Sequence, residues 1–309
     1  MKTVMVSGAH GQLVTDIIKI LGKDSDFSVV SYDRRRLDVT DKLLLEQEFE
    51  RIKPDFFIQG ASYHVVEQIN NNPTEACDVN VASLHYLSNL CYEYNTTLIN
   101  FSTNYVFSGI KPMNGDWGDW PGSEHYNEND TPHPVNLYGI LKYAGEQVAS
   151  ASEKHYNIRV SGLFGKTGSR AKNGMNFPYI IKKNLELNNR ADHHEPVEVV
   201  ADQVINVGYT ADLARVIVEM MKQESNDKYG LYHLVNKGDC TWYEVAQQIA
   251  EILGYGKDKI KPIETADFYT NLKRPKDTSL NVHRVEKVFD VEIPTWQDAL
   301  TRFFKNEVL

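Results

Sequence analysis

The chain has 309 residues, of which 41% are hydrophobic and 24% charged, with 19 glycines and 11 prolines; this is ordinary globular composition and excludes a disordered or collagen-like chain. The formal net charge of −9 leaves no overall positive field to hold nucleic acid. Three cysteines without CxxC spacing make neither a disulfide framework nor a thiolate metal site, and no apolar run approaches the ~20 residues of a membrane helix.

In chain order, Met1–Val6 lacks the apolar stretch of a signal peptide, so the expected compartment is the cytoplasm and no membrane partner is expected. Thr3–Ser7 reads as a short strand. Gln12–Leu21 follows as a helix, with Leu13, Ile17 and Leu21 four residues apart and Gly22 to end it. Phe27–Tyr32 is a second strand, Lys42–Ile52 a helix, and Phe56–Gln59 a third strand introduced by Pro54. One long helix over Glu75–Tyr94 leads to a strand at Leu98–Phe101, and a helix over Tyr138–Ser152 leads to a strand at Asn157–Val160. Further on, Val197–Val200 and Leu231–Val235 read as strands, Thr210–Lys222 and Thr241–Leu253 as helices, the last opened by a Thr241/Glu244 capping box. Between the elements, the long segment from Ser108 to Pro134 reads as a lid or a disordered loop.

Repeated strand–helix alternation implies crossover connections and a parallel sheet with helices on both faces. The predicted fold class is α/β: a Rossmann-like doubly wound parallel sheet with a smaller C-terminal α+β substrate lobe. The predicted division is a dinucleotide-binding domain over 1–165 and a substrate-binding lobe over 166–309, partly interleaved with it.

Four segments carry chemistry. Gly8-Ala9-His10-Gly11-Gln12-Leu13 lies between the first strand and the first helix, where small residues let backbone approach a pyrophosphate and a helix N-terminus presents free N–H groups. Val14 stands where a third glycine would complete the pattern, and crowds either a cofactor or the helix–sheet contact. At the end of the second strand, Asp33 suits the ribose hydroxyls of an adenosine, while Arg34 to Arg36 suit a 2′-phosphate, so NAD and NADP both remain open. Tyr138 and Lys142 share a helix face at i and i+4; an ammonium near a phenol favours the phenolate, and the pair can pass a proton to or from a carbonyl oxygen. Thr103, after the fourth strand, is placed to hydrogen-bond a substrate carbonyl beside Tyr138; turn formation is the alternative role for Ser102 and Thr103.

Together these segments, in this order, resemble an extended short-chain dehydrogenase/reductase, and most closely the dTDP-4-dehydrorhamnose reductase family. The resemblance runs through Gly60-Ala61-Ser62-Tyr63, Asn80, Ser102–Phe107, Pro134–Gly139, Lys142, Gly145-Glu146, Asp202-Gln203, Tyr232–Asn236, Trp242-Tyr243 and Arg274-Pro275. It implies reduction of the C4 ketone of a nucleotide-linked 4-keto-6-deoxy sugar, with NADP or NAD and with NADPH ahead of NADH. It also implies a catalytic set of Thr103, Tyr138 and Lys142. Cofactor residues on the same basis are Gly8, His10, Gly11, Gln12, Leu13, Asp33, Arg34, Asp38, Val39, Gly60, Ala61, Ser62, Tyr63, Tyr138 and Lys142. Residues toward the sugar nucleotide are Thr103, Asn104, Tyr105, Gly162 and Arg274. No metal is expected, and a homodimer is expected by family likeness.

The chain departs from the family pattern at Val14, at Asn104 where an aspartate is usual, at Gly162, over Val204–Gly208, and in a longer Trp117–Tyr126 loop. These departures bear on which sugar is taken more than on the reaction. The alternatives are an epimerase or dehydratase that retains its nicotinamide, and a non-catalytic regulatory subunit on the same fold. His193-His194, beside Asp192 and Glu195, reads as a solvated loop and not as a metal site.

Overall fold

A computed structural model describes residues 1–110, 125–169, 171, 173–190, 195–268 and 273–308. Most of the Trp117–Tyr126 loop and His193-His194 lie outside the described residues. The first half alternates β1 (Lys2–Ser7), α1 (Gln12–Leu21), β2 (Phe27–Ser31), α2 (Lys42–Ile52) and β3 (Phe56–Gln59). There follow the short helices α3 (Val66–Ile69) and α4 (Pro73–Cys77), then α5 (Ser83–Glu93), β4 (Thr97–Thr103), α6 (Leu137–Ala149) and β5 (His155–Val160).

The second half holds β6 (Leu163–Phe164), α7 (Phe177–Arg190), β7 (Val197–Val200), β8 (Val204–Ile205), β9 (Gly208–Tyr209) and α8 (Thr210–Lys222). After these come β10 (Gly230–His233), β11 (Cys240–Thr241), α9 (Trp242–Ile252), β12 (Ile260–Ile263), α10 (Thr265–Phe268), α11 (His283–Phe289) and α12 (Trp296–Phe303).

Six strands form one sheet in the order β10-β5-β4-β3-β1-β2, and every pairing within it is parallel. Its strands are apolar on both faces, as a sheet covered on both sides requires: all four residues of β3 are buried. The predicted doubly wound α/β sheet is therefore present. The chain moves outward in opposite directions from β1, to β2 on one side and to β3 on the other. This places the topological switch point between β1 and β3, where open sheets of this kind leave a crevice beyond the strands' carboxyl ends.

Residues of α1, α8, β10 and α11 share one apolar cluster with the sheet, including Ile17, Ile217, Tyr232 and Phe289. A separate cluster joins α7, β7, α9 and α12 through Leu185, Val199, Ile249 and Phe303. The C-terminal half thus supplies both an edge strand of the main sheet, with Gly230–His233 beside Tyr156–Arg159, and a core of its own. Thr241 and Glu244 form the expected capping box on α9.

The helix expected over Glu75–Tyr94 is present as one helical run from Pro73 to Glu93, with a π-turn over Asp78–Ala82 between α4 and α5. Within that π-turn Asn80 serves the segment after β3. Its Oδ1 accepts from the Tyr63 N–H (3.0 Å) and the Ser62 hydroxyl (3.1 Å), and its Nδ2 donates to the Tyr63 carbonyl (2.9 Å). Single π-turns of this sort concentrate at functional sites.

Candidate active site

At the switch point, two glycines allow the loops after β1 and β3 to touch. Gly8 takes φ +64, and a Cβ there would lie 2.4 Å from the Gly60 carbonyl carbon. The Gly11 N–H returns to the Gly8 carbonyl at 2.8 Å, closing the turn into α1. The N-terminus of α1 carries no side-chain cap and no acidic residue in its first turn, so its N–H groups remain available to an anion. Leu13 and Val14 are buried, and Val14 packs on Gly60; its place is thus the helix–sheet contact. Gln12 donates to the Leu163 carbonyl at 3.1 Å, while its buried Oε1 has no hydrogen-bond partner among the described residues.

Beyond β2, Asp33 accepts from the N–H groups of Arg35 and Arg36, both at 3.1 Å, and faces the His10 ring at 3.6 Å. Partial burial works against its ionisation, but those N–H groups and His10 outweigh it and hold the carboxyl below its usual range. Arg34 pairs with Asp38 (3.3 Å) and Glu75 (3.0 Å), so its guanidinium is already engaged. Asp38 in turn accepts from Thr40, and Val39 is buried. After β3, Ser7 receives the N–H groups of Gly60 (3.2 Å) and Ala61 (3.4 Å), and Asn80 fixes Ser62 and Tyr63 as described above.

A second group assembles at the carboxyl end of β4. Thr103 ends the strand, 5% exposed, with its hydroxyl receiving the Tyr105 N–H at 3.2 Å. Helix α6 begins beside it because Asn136 caps it, accepting from the Gly139 N–H at 2.9 Å while donating to the Lys273 carbonyl at 3.1 Å. Gly139 permits the close approach: a Cβ there would stand 2.2 Å from the Tyr105 carbonyl oxygen. Tyr138 therefore lies against the 104–106 turn, its ring edge-on to that of Tyr105 at 5.9 Å.

Burial pushes the Tyr138 phenol up to about 12, partly offset by the Thr103 hydrogen bond. The sequence-based expectation was a phenol brought down by Lys142; the lowering partner in the structure is Thr103. Lys142, one turn further along α6, is 5% exposed and has no hydrogen-bond or ion-pair partner among the described residues. Burial brings it down to about 8, against the opposing pull of Glu146.

Of the residues assigned to the sugar side, Tyr105 accepts from Arg274 Nη1 at 2.9 Å, and Arg274 also pairs with Glu67. Asn104 is 3% exposed; its Oδ1 accepts from Thr103 (3.2 Å) and its Nδ2 donates to Thr278 (2.5 Å), so one acceptor and one donor of its amide are already committed. Gly162 takes φ +50 in the turn between β5 and β6, a backbone reason for glycine there. Two contributions were not legible as roles: the Asn80 clamp and the Asn136 cap. An Asn just before a helical pattern was a usable signal for the cap. Among the described residues no three His, Cys, Asp or Glu side chains cluster to hold a metal, and no helix is long and apolar enough to cross a membrane.

Residues 1–308 match the family model described as RmlD substrate binding domain. The chain is 29% identical to the dTDP-4-dehydrorhamnose reductase of Aggregatibacter actinomycetemcomitans, with 97% of each chain covered. It is 28% identical to the dTDP-4-keto-6-deoxy-D-glucose reductase of Streptomyces niveus, covering 97% of this chain and 96% of that one. Among solved structures, the dTDP-4-dehydrorhamnose reductase of Bacillus anthracis in complex with NADP superposes with a TM-score of 0.84 at 29% identity, covering 98% of this chain and 99% of that one.

Proposed function

The chain belongs to the RmlD substrate binding domain family, and from that premise we propose that it reduces the C4 ketone of a nucleotide-linked 4-keto-6-deoxy sugar, with NADPH or NADH as the hydride source. The observation that carries this reading is the meeting of Thr103, Tyr138 and Lys142 at the carboxyl end of β4, in the same sheet as the Gly8/Gly60 crevice.

The residues present fit a nicotinamide dinucleotide. The α1 N-terminus and the side-chain-free backbone at Gly8 suit a pyrophosphate. Lys142 is a buried ammonium without a partner among the described residues, and Gln12 Oε1 a buried acceptor without one; both await polar groups from outside the chain. Asp33 would take the adenosine ribose. Gly8, His10, Gly11, Gln12, Leu13, Arg34, Asp38, Val39 and Gly60–Tyr63 would complete the cofactor side.

When bound, the reduced nicotinamide supplies the hydride for the ketone carbon. Tyr138 holds the proton that the developing alkoxide oxygen needs. A phenol raised to about 12 stays protonated at neutral pH, which suits a general acid working in the direction of reduction. The Thr103 hydroxyl, beside Tyr138, would orient the carbonyl oxygen. Lys142 sets positive charge beneath this pair and would hold the nicotinamide ribose. Tyr105, Asn104, Gly162 and Arg274 would border the sugar nucleotide.

The reading implies the cytoplasm as compartment and a homodimer as assembly, the latter tested by light scattering. The deciding experiment follows nicotinamide absorbance with dTDP-, UDP-, GDP- and CDP-linked 4-keto-6-deoxy sugars. Net oxidation of NADPH or NADH supports the reductase. Sugar turnover without net oxidation would make the protein an epimerase or dehydratase, and tight partner binding without turnover a regulatory subunit.

A further inference from the structure

Beneath the reacting groups lies a buried charge cluster to which the reductase reading assigns no task. Tyr138, Lys142 and Glu146 follow one another at four-residue spacing on α6, so they share one face of the helix. Glu146 is 2% exposed. It accepts from Arg159 Nε at 2.9 Å and Nη2 at 2.7 Å, and from the Ser102 hydroxyl. Arg159, on β5, is 1% exposed, lies over the Phe107 ring at 5.0 Å, and turns its Nη1 to His233 Nε2 at 3.3 Å. His233 Nδ1 meets the Tyr126 carbonyl at 3.1 Å; burial first, then Arg159, holds this ring well below its usual protonation range, so it is neutral and accepts from the guanidinium.

We propose that Glu146 is a positioning residue for the reaction: fixed by Arg159 and Ser102, its carboxylate places negative charge one helical turn from Lys142 and keeps that lysine an ammonium. A two-pronged carboxylate–guanidinium pair cannot swing, so the charge is held at one spot. The same carboxylate binds Ser102, the neighbour of Thr103 on β4. One side chain therefore ties the helix that carries Tyr138 and Lys142 to the strand that carries Thr103.

The other charged groups around α6 do not supply this charge. On elements packed against it, Glu67 of α3, Asp78 of the π-turn, and His85 and Glu93 of α5 are all exposed. Tyr105 is bonded to Arg274, and β4 carries no titratable side chain. Arg159 is cationic and would by itself oppose a charged Lys142. Glu146 is the anion that acts on Lys142.

This inference rests on the reductase reading for its consequence, but its first test needs no turnover. The cofactor-free protein is labelled with 13C at lysine Cε, and Lys142 is titrated by NMR, its signal assigned with Lys142→Arg. In Glu146→Gln, which keeps the shape and an acceptor for Ser102, the proton affinity of Lys142 is expected to fall about tenfold or more. The alkaline limb of the kcat/KM profile should fall to lower pH with it.

An unchanged Lys142 titration in Glu146→Gln overturns the proposal and leaves Glu146 a packing tie. Where Glu146→Gln, which strands the Arg159 charge, fails to fold, the paired variant Glu146→Gln/Arg159→Met carries the same test, with a midpoint below wild type expected and an unshifted midpoint overturning it. Absence of turnover by the wild type with every sugar sinks the reductase reading instead and leaves the titration standing.

Discussion

Val14 occupies the space that a side chain at position 60 would need: its Cγ2 lies 2.5 Å from where a Gly60 Cβ would stand. The two positions are thus coupled across the helix–sheet contact. The missing third glycine of the turn after β1 is matched by a glycine just beyond β3. Val14→Gly is expected to cost about 3 kcal/mol, from lost burial of the valine side chain and the poor helix propensity of glycine. Denaturant unfolding measures it. An unchanged midpoint would mean that the contact contributes nothing.

Gly60→Ala is expected to be worse, because its Cβ would also meet the Ser7 carbonyl oxygen at 2.4 Å. Pairing it with Val14→Ala relieves the side-chain clash but not the backbone one. The double variant should therefore recover only part of the lost stability and cofactor affinity, read by thermal unfolding and by titration with NADPH. Full recovery would locate the whole conflict in Val14.

Tyr138→Phe removes the proposed proton donor while leaving the ring against Tyr105. Turnover of a 4-keto sugar is expected to drop about 10²–10⁴-fold, with cofactor Kd nearly unchanged. A variant with near-normal kcat would take Tyr138 out of the chemistry.

Lys142 gives a pH dependence of stability with a definite sign. Burial lowers its folded-state pKa from the ordinary lysine value of 10.5 to about 8. Between those two values the unfolded chain holds the proton and the folded chain does not, so stability rises with pH across that window. Below about 8 the charged lysine costs the fold roughly 3 kcal/mol. Lys142→Met should accordingly unfold at higher denaturant than wild type at pH 6.5 and lose that advantage toward pH 10.5, while losing activity at every pH. Parallel stability curves for the two proteins would contradict the buried charge.

Asn104 has its amide shared between Thr103 and Thr278. In Asn104→Asp the donor to Thr278 is gone, and the Thr103 hydroxyl is held by a charged group. A lost buried hydrogen bond costs about 1–3 kcal/mol, so kcat/KM is expected to change by roughly tenfold or more. Because the amide acts through Thr103, the factor should be similar for each sugar nucleotide. A change that differs strongly between sugars, with cofactor Kd constant, would instead place Asn104 against the sugar.

Much of this protein was legible from residue order. Alternating apolar runs and helical periods determine a parallel sheet, because those periodicities bury one face of each helix and both faces of each strand. Tyr138 and Lys142 could be paired from spacing because i and i+4 are neighbours on any helix, whatever surrounds it. The helix over Glu75–Tyr94 was legible in the same way, but the π-turn within it was not, because Asn80 has its partners at Ser62 and Tyr63, far off in sequence. Only the tertiary structure decided the rest. Val14 becomes a packing residue because β3 brings Gly60 to it, and Tyr138 is raised rather than lowered because the fold buries it, with Tyr105 alongside. Glu146 gains its anchor from Arg159 on another element. Spacing along a chain sets which groups can share a face; desolvation and charge depend on what the fold packs against that face, and distant segments supply it.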